Sequence, residues 1–350
     1  MAVTIRDVAK ATGVSISTVS RALATPELVA EPTRHLVQKA AHDMGYRPNR
    51  AARGLITGRT SCIGLVVPDL ENPFFGSIGK GVQDRARAAG YSVFIGDSSE
   101  DPALEAEVVR GIAKQVDGMI LCSARGSDES VRAITSDTPV VLVNRAIEGI
   151  LSIAFDNASG LRAIMQHLVA LGHTTIAYAA GPVTSWSSER RVEAFRAFGE
   201  ASPELRLIEL GNFPPVFAGG VQAADLAIAS GATAIVAYND LMALGLLDRI
   251  RERGLRVPDD LSIASFDNVA VASMVSPKLT TVDFPRIQMG RACVDALLDL
   301  VLDRPTGATC TSDLPVELVV RQSTGVVPAS AAKRENDIPT ATPRAAVTTP

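Results

Sequence analysis

Between Thr4 and Leu23 the positions Ile5, Val8, Ala9 and Thr12 fall at i, i+3, i+4 and i+7, so a short helix with a single face to bury is predicted. Gly13 ends it, because a sharp helix-to-helix turn needs a left-handed residue and glycine adopts that conformation without a Cβ penalty. Ser15 is placed to cap the next helix, on which Val19 and Leu23 face inward while Ile16, Ser17, Ser20 and Arg21 stay outside. Taken alone, such a pair is an amphipathic hairpin that could pack on anything. A third helix over 32–44, with Val37, Ala40, Ala41 and Met44 on one face and Gly45 behind it, supplies a miniature core. Residues 1–46 are therefore predicted to form a three-helix, helix-turn-helix head, whose second helix has the form that enters the major groove of DNA.

Pro48 stops further helix, Asn49 is a good N-cap, and about two turns can follow before Gly54 weakens them. Such a segment orders only with a partner, and residues 47–60 read as a hinge or basic linker. From Ser61 the pattern changes to apolar runs alternating with helical periods. Buried parallel strands are predicted at 63–67, 91–95, 118–121, 140–143 and 153–155, with helices over 76–89, 104–114 and 127–134. A second series follows, with strands at 176–179, 234–237 and 261–266 and helices over 160–171, 188–198, 221–229 and 241–253. The predicted class is α/β: a head followed by two successive doubly wound lobes over 61–325, with a ligand crevice at the carboxyl ends of the strands. Residues 326–350 lack periodicity and are expected to be a disordered tail.

Charge changes this picture more than composition does. The 350 residues, 47% hydrophobic and 21% charged, are those of an ordinary globular protein with a net charge of −4. Yet residues 1–60 hold nine basic and four acidic side chains, a balance of +5 that leaves −9 on the remainder. A basic head on an acidic body confines phosphate attraction to one end. No apolar run approaches the roughly 18 residues of a membrane span, and Arg6, Asp7 and Lys10 interrupt any signal sequence, so a cytoplasmic location is expected. Cys62, Cys122, Cys293 and Cys310 are too scattered for a zinc site or redox pair and read as buried or incidental thiols.

No catalytic, cofactor or metal signature emerges. The run Gly76-Ser-Ile-Gly-Lys-Gly resembles a phosphate loop, but it is too short and Gly81 stands where a Ser or Thr is needed, so it reads as a helix start. Hydrolase, zinc-protease and dinucleotide motifs are missing, and His35, His42, His167 and His173 are dispersed, with surface or capping roles expected.

The chain closely resembles the LacI/GalR family of bacterial transcription repressors. The resemblance runs from about Thr4 to Gly325 and is most specific in the head, I-R-D-V-A-x-x-x-G-V-S-x-x-T-V-S-R followed by G-Y-R-P-N and a hinge ending in Leu55. In the body it includes Ile63-Gly-Leu-Val-Val-Pro-Asp, Asn72-Pro-Phe-Phe, Tyr238-Asn-Asp, Val257-Pro-Asp-Asp-Leu-Ser-Ile, Phe266-Asp-Asn and Leu279-Thr-Thr-Val. It implies a body of the periplasmic-binding-protein-like type, a homodimer on palindromic operator DNA, and a small effector, a sugar or sugar derivative, between the lobes. Ile16, Ser17 and Arg21 match the base-reading positions, with Ser20 on the same helix. Asn49 begins the hinge, and Leu55 matches its minor-groove wedge. Phe74, Phe75, Arg145, Arg191, Asn239 and Asp267 fall where relatives contact effectors, and Trp186 is placed as a pocket lid or a lobe-surface residue.

Three departures stand out. Ala30 replaces the usual cap of the third helix, Phe284 makes one side of the pocket more apolar, and the tail lacks the leucine heptads that build tetramers, which favours a dimer. The competing readings are a small-molecule binding protein without a DNA role, a nucleobase-responsive regulator, and an enzyme on a doubly wound fold.

Overall fold

The computed structural model describes residues 3–24, 26–46, 59–305 and 312–327. In the head, α1 (Ile5–Thr12), α2 (Ile16–Ala24) and α3 (Glu31–Asp43) surround a core in which Val8, Val19, Ala22 and Val37 are wholly excluded from solvent. Gly13 takes φ +68°, the left-handed turn its position requires, and Ser15 Oγ accepts the Thr18 amide at 3.1 Å. Ala30 offers α3 no side-chain cap, and Pro32 in the first turn supplies only backbone preorganisation.

The body contains two six-stranded sheets. Strands β1 (Cys62–Val67), β2 (Ser92–Asp97), β3 (Gly118–Cys122), β4 (Val140–Val143), β5 (Ser152–Phe155) and β11 (Ser312–Leu314) are ordered β11-β5-β4-β3-β1-β2. Strands β6 (Thr175–Ala180), β7 (Arg206–Asn212), β8 (Ala234–Ala237), β9 (Ser262–Asp267), β10 (Thr280–Asp283) and β12 (Glu317–Val319) are ordered β12-β10-β9-β8-β6-β7. Both β3 and β4 are buried throughout, which is why each is a continuous apolar run; β12 runs antiparallel to β10.

The lobes are not two successive series, and the expectation of a simple repeat is corrected here. The chain leaves the first sheet after β5 and builds the second through α7 (Asn157–Ala170), α8 (Trp186–Glu200), α9 (Phe217–Ser230) and α10 (Asp240–Glu252). It then returns after β10 as α11 (Arg286–Val301), packs against α4 (Pro73–Ala88), β3 and β4, adds β11 to the first sheet and finally β12 to the second. The return is driven by a buried stripe on α11 formed by Met289, Cys293, Val294 and Leu297.

The glycine run after residue 75 is also corrected: α4 begins at Pro73, with Asn72 Oδ1 accepting the Phe74 amide at 3.0 Å, so the glycines lie inside the helix. Their role is close approach. A Cβ on Gly81 would sit 2.2 Å from the Ile287 carbonyl oxygen, and one on Gly290 2.3 Å from that of Ile78, so the backbones of α4 and α11 touch. The first sheet is completed by helices α5 (Pro102–Ala113) and α6 (Asp128–Thr135).

The described chain continues past the expected body boundary, since the Val327 amide donates to Leu171 O at 3.0 Å. Cys122 and Cys293 are core thiols, and burial pushes Cys122 up to about 12; Cys310 lies outside the described residues. His173 has no surface role: it is 1% exposed, with Nδ1 paired to Thr233 Oγ1 at 2.9 Å and Nε2 to Ser262 Oγ and Gly325 O at 3.1 and 3.0 Å. Burial holds both His173 and His167 below the ordinary value of 6.5.

A histidine whose folded pKa is depressed makes the unfolded chain bind more protons below the unfolded value, so stability is lost as pH falls through about 6.5. Buried carboxylates raised into the same range, Asp240 to about 6 and Asp267 to about 7, act in the opposite sense, so the comparison decides: from about pH 7 to pH 5.5 the melting temperature of His173→Gln should shift upward relative to that of the wild type. An unchanged slope in that variant would remove His173 from the account.

Candidate functional site

The expected site residues fall on surfaces of both compact units. In the head, burial of Val19 and Ala22 turns the opposite side of α2 outward, where Ile16 is 46% exposed and Ser17 and Arg21 are exposed; Ser20 is half-buried. Arg21 Nε donates to Ser17 O at 3.3 Å, which lays its stem along the helix. Asn49 and Leu55, the expected hinge contacts, lie outside the described residues.

In the body, the strands deliver polar side chains to a crevice between the sheets. Several of the residues just past their carboxyl ends hold positive φ without being glycine: Ser99 (+48°) and Glu100 (+60°) after β2, Ser123 (+49°) after β3 and Asn144 (+53°) after β4. Across the crevice Asp267 (+106°) and Asn268 (+49°) do the same at the end of β9. Left-handed backbone at a residue with a Cβ is strained and persists only where the surroundings over-determine it.

The crevice brings together Phe74, Phe75, Arg191, Asn239 and Asp267, five of the seven residues expected to contact an effector. Its open volume is about 20 Å³ because its own side chains fill it, against roughly 300–1,000 Å³ for an ordinary ligand pocket. Arg191 is buried, donates from Nε to Asn157 Oδ1 at 2.8 Å and from Nη1 to Tyr238 O at 2.6 Å, and lies 3.9 Å over the Phe266 ring. Asn239 is occupied at both ends of its amide, accepting the Met242 amide as the cap of α10 and donating to Pro215 O. Phe74 stands edge-on to Phe75 and Phe284, and Phe284 packs 4.4 Å from Phe155; Phe284 and Phe155 belong to the core behind Phe74 rather than to the crevice lining.

Burial pushes Asp267 up to about 7; Arg191 and Arg286 oppose the shift and neighbouring Asp240 adds to it. Asp240, wholly buried and raised to about 6 by the same cause, accepts Ser265 Oγ, Thr281 Oγ1 and the Val269 amide at 2.5, 2.7 and 2.8 Å. Those bonds anchor the loop that carries Asp267.

Two expected residues are placed elsewhere. Arg145 turns back onto its own lobe, donating to Ala124 O and Gly126 O at 2.8 and 2.6 Å and to Asp128 at 2.6 Å, because those carbonyls would otherwise be buried without a donor. Trp186 lines a separate groove of about 680 Å³ between α7 and α8, 5.8 Å from the Arg190 guanidinium. Sequence reasoning missed Glu100, Ser123, Arg125, Asn144 and Tyr238, all on the crevice wall. The available signal was a polar residue directly after a buried strand, which Ser123 and Asn144 both satisfy.

Comparison with known proteins places these surfaces in context. The family description "Bacterial regulatory proteins, lacI family" matches residues 4–49, and "Periplasmic binding protein-like domain" matches residues 165–324. The HTH-type transcriptional regulator DegA of Bacillus subtilis is 35% identical over 300 residues, 83% of this chain and 89% of that protein. A crystal structure of the lac repressor dimer bound to operator and the anti-inducer ONPF is similar with a TM-score of 0.83 and 30% identity, covering 93% of this chain and all of that one. A LacI family transcriptional regulator from Enterococcus faecium with bound ribose has a TM-score of 0.67 and 30% identity, covering 76% and 99%.

If Arg145 is a clamp, Arg145→Ala should cost about 1–3 kcal/mol of stability in urea unfolding and speed hydrogen exchange at the Arg125 and Gly126 amides. Unchanged exchange at those two amides would contradict the assignment.

Proposed function

The chain belongs to the lacI family of bacterial regulatory proteins and is a DNA-binding transcriptional regulator, and from that premise we propose that it is a repressor whose grip on a palindromic operator is set by a small sugar-like effector held between its lobes. The observation that carries the reading is the union, in one chain, of a head whose α2 presents Ile16, Ser17 and Arg21 outward with a body whose strand ends converge polar side chains on one crevice. The charge division supports it, since +5 over residues 1–60, head and hinge together, against −9 on the remainder directs phosphate attraction to one end.

Two heads related by a twofold axis read two half-sites, so a homodimer is proposed; the similar lac repressor is a dimer on its operator. A sugar is proposed because Asp267 offers an acceptor for hydroxyls and because the Enterococcus faecium regulator holds ribose. The working division is a head over 1–46, a hinge over 47–60 and an effector-binding body from 61 to 327. The relatives are regulators, and in this reading the crevice binds its ligand without transforming it. No helix among the described residues is long and apolar enough to cross a membrane, and the cytoplasm, where the operator lies, is the proposed place of action.

Fluorescence anisotropy on a set of operator duplexes tests the head. Arg21→Ala should lose about 1–3 kcal/mol concentrated at one base pair of each half-site, whereas uniform weakening on all sequences would make Arg21 a phosphate contact. Asp267→Asn should weaken the effector by roughly 1.5–3 kcal/mol per lost charge-assisted bond while operator affinity without effector holds. Unchanged effector affinity by calorimetry would remove Asp267 from the site.

A further inference from the structure

We propose that Glu100 sets the charge selectivity of the crevice: by pairing with the Arg125 guanidinium along one edge, it makes the site refuse anions and accept an uncharged, hydroxyl-rich ligand. This rests on reading the crevice as the effector site, and it narrows that reading from sugars and their charged derivatives to uncharged ones.

The cationic donors of the crevice are already committed. Arg125 is 4% exposed, and its Nε and Nη2 donate to the two oxygens of Glu100 at 2.5 and 3.0 Å while Nη1 donates to Ser123 O at 2.9 Å. The guanidinium, which would be the natural receptor for a phosphate or carboxylate on a ligand, already holds a carboxylate. On the opposite wall Arg191 is committed to Asn157 and Tyr238, and its face is covered by Phe266. Asn239 spends its amide donor on Pro215 O.

The acceptors stand differently. Asn144 donates from Nδ2 to Ser123 Oγ at 3.0 Å, which leaves its Oδ1 buried with no hydrogen-bond partner. The Asp267 carboxylate accepts no hydrogen bond from the described residues. One wall thus presents an unmatched neutral acceptor and the other an unmatched carboxylate. Hydroxyl groups satisfy both; an anion satisfies neither, meets the Glu100 carboxylate and opposes the ionisation of Asp267 in a poorly solvated space.

Both members of the pair are fixed in advance. Glu100 sits at φ +60°, in a turn held by its own amide on Pro68 O and by the Asp101 amide on Ser98 O, each at 2.8 Å. Arg125 cannot retreat, because the buried Glu105 carboxylate accepts the amides of Arg125 and Gly126 at 2.7 and 2.9 Å. An entering anion would therefore have to displace Glu100 from a pair that the backbone holds together.

The test is calorimetric titration of inorganic phosphate into the full chain as wild type, Glu100→Gln and Glu100→Gln/Arg125→Gln, with D-ribose and D-ribose 5-phosphate as a matched uncharged and anionic pair. Glu100→Gln should bind phosphate about tenfold more tightly than wild type, the scale of one charge-assisted hydrogen bond, and the double variant should lose the gain. Equal phosphate affinity in wild type and Glu100→Gln, or preference of the wild type for ribose 5-phosphate over ribose, overturns the proposal. Should Glu100→Gln fail to fold, wild type against Arg125→Gln decides: matching phosphate affinities support charge matching by Glu100, and loss of phosphate binding in Arg125→Gln overturns it. Failure of the effector reading would look different, with no uncharged or anionic sugar altering operator release while the phosphate comparison still reports on Glu100.

Discussion

A strand buried on both faces cannot trail off into solvent; it must stop, and its chain must turn at once to enter the next helix. Around the crevice, after the buried strands β3, β4 and β9 and also after the edge strand β2, that turn is made by six residues that are not glycine, Ser99, Glu100, Ser123, Asn144, Asp267 and Asn268, each in left-handed backbone. Conformations of this kind cost of order 1–3 kcal/mol each, and the hydrogen bonds that offset the cost also aim the side chains. Asn144 is an example: its amide bonds to Ile153 O at 2.8 Å and its Nδ2 to Ser123 Oγ, so strain, ladder and crevice polarity are settled together.

The same economy governs charge. Buried ions survive when paired or richly hydrogen-bonded, and the crevice uses both devices. Arg125 is answered by Glu100 on one lobe, and Asp240 is answered by two hydroxyls and an amide on the other. Burial raises Asp267 to about 7, and a hydroxyl donated to it by a ligand would favour its ionised form. A nearly filled crevice, with about 20 Å³ open, also means that ligand entry requires side chains or lobes to move. That requirement is the physical basis for coupling the crevice to anything else.

Much of this was legible in the sequence, for identifiable reasons. The head could be read because three short helices with one core need a strict period and a left-handed turn, and Gly13 marks the turn. The central strands could be read because burial on both faces leaves only apolar residues, as in Val140–Val143. By contrast β7 is an edge strand with exposed positions and β10 is rich in threonine, so neither looks like a buried run. The return of α11 to the first lobe, driven by its buried stripe, depends on a close backbone approach between Gly81 and Ile287, which are far apart in the chain. Arg125 and Arg145 look alike in sequence, each arriving just after a buried strand, but only the positions of Glu100, Ala124 and Asp128 in space send one to the crevice and the other to its own loop.

The central claim is that ligand in the crevice and operator on the head are thermodynamically linked. Linkage is reciprocal for binding free energies: the factor by which a ligand changes operator affinity must equal the factor by which operator changes ligand affinity. The most direct measurement is calorimetry with an uncharged sugar, first selected by its melting-temperature shift, titrated into the full chain with and without a saturating operator duplex. The account predicts two different sugar affinities whose ratio equals the shift in operator affinity at saturating sugar. Equal sugar affinities in the two titrations would contradict it.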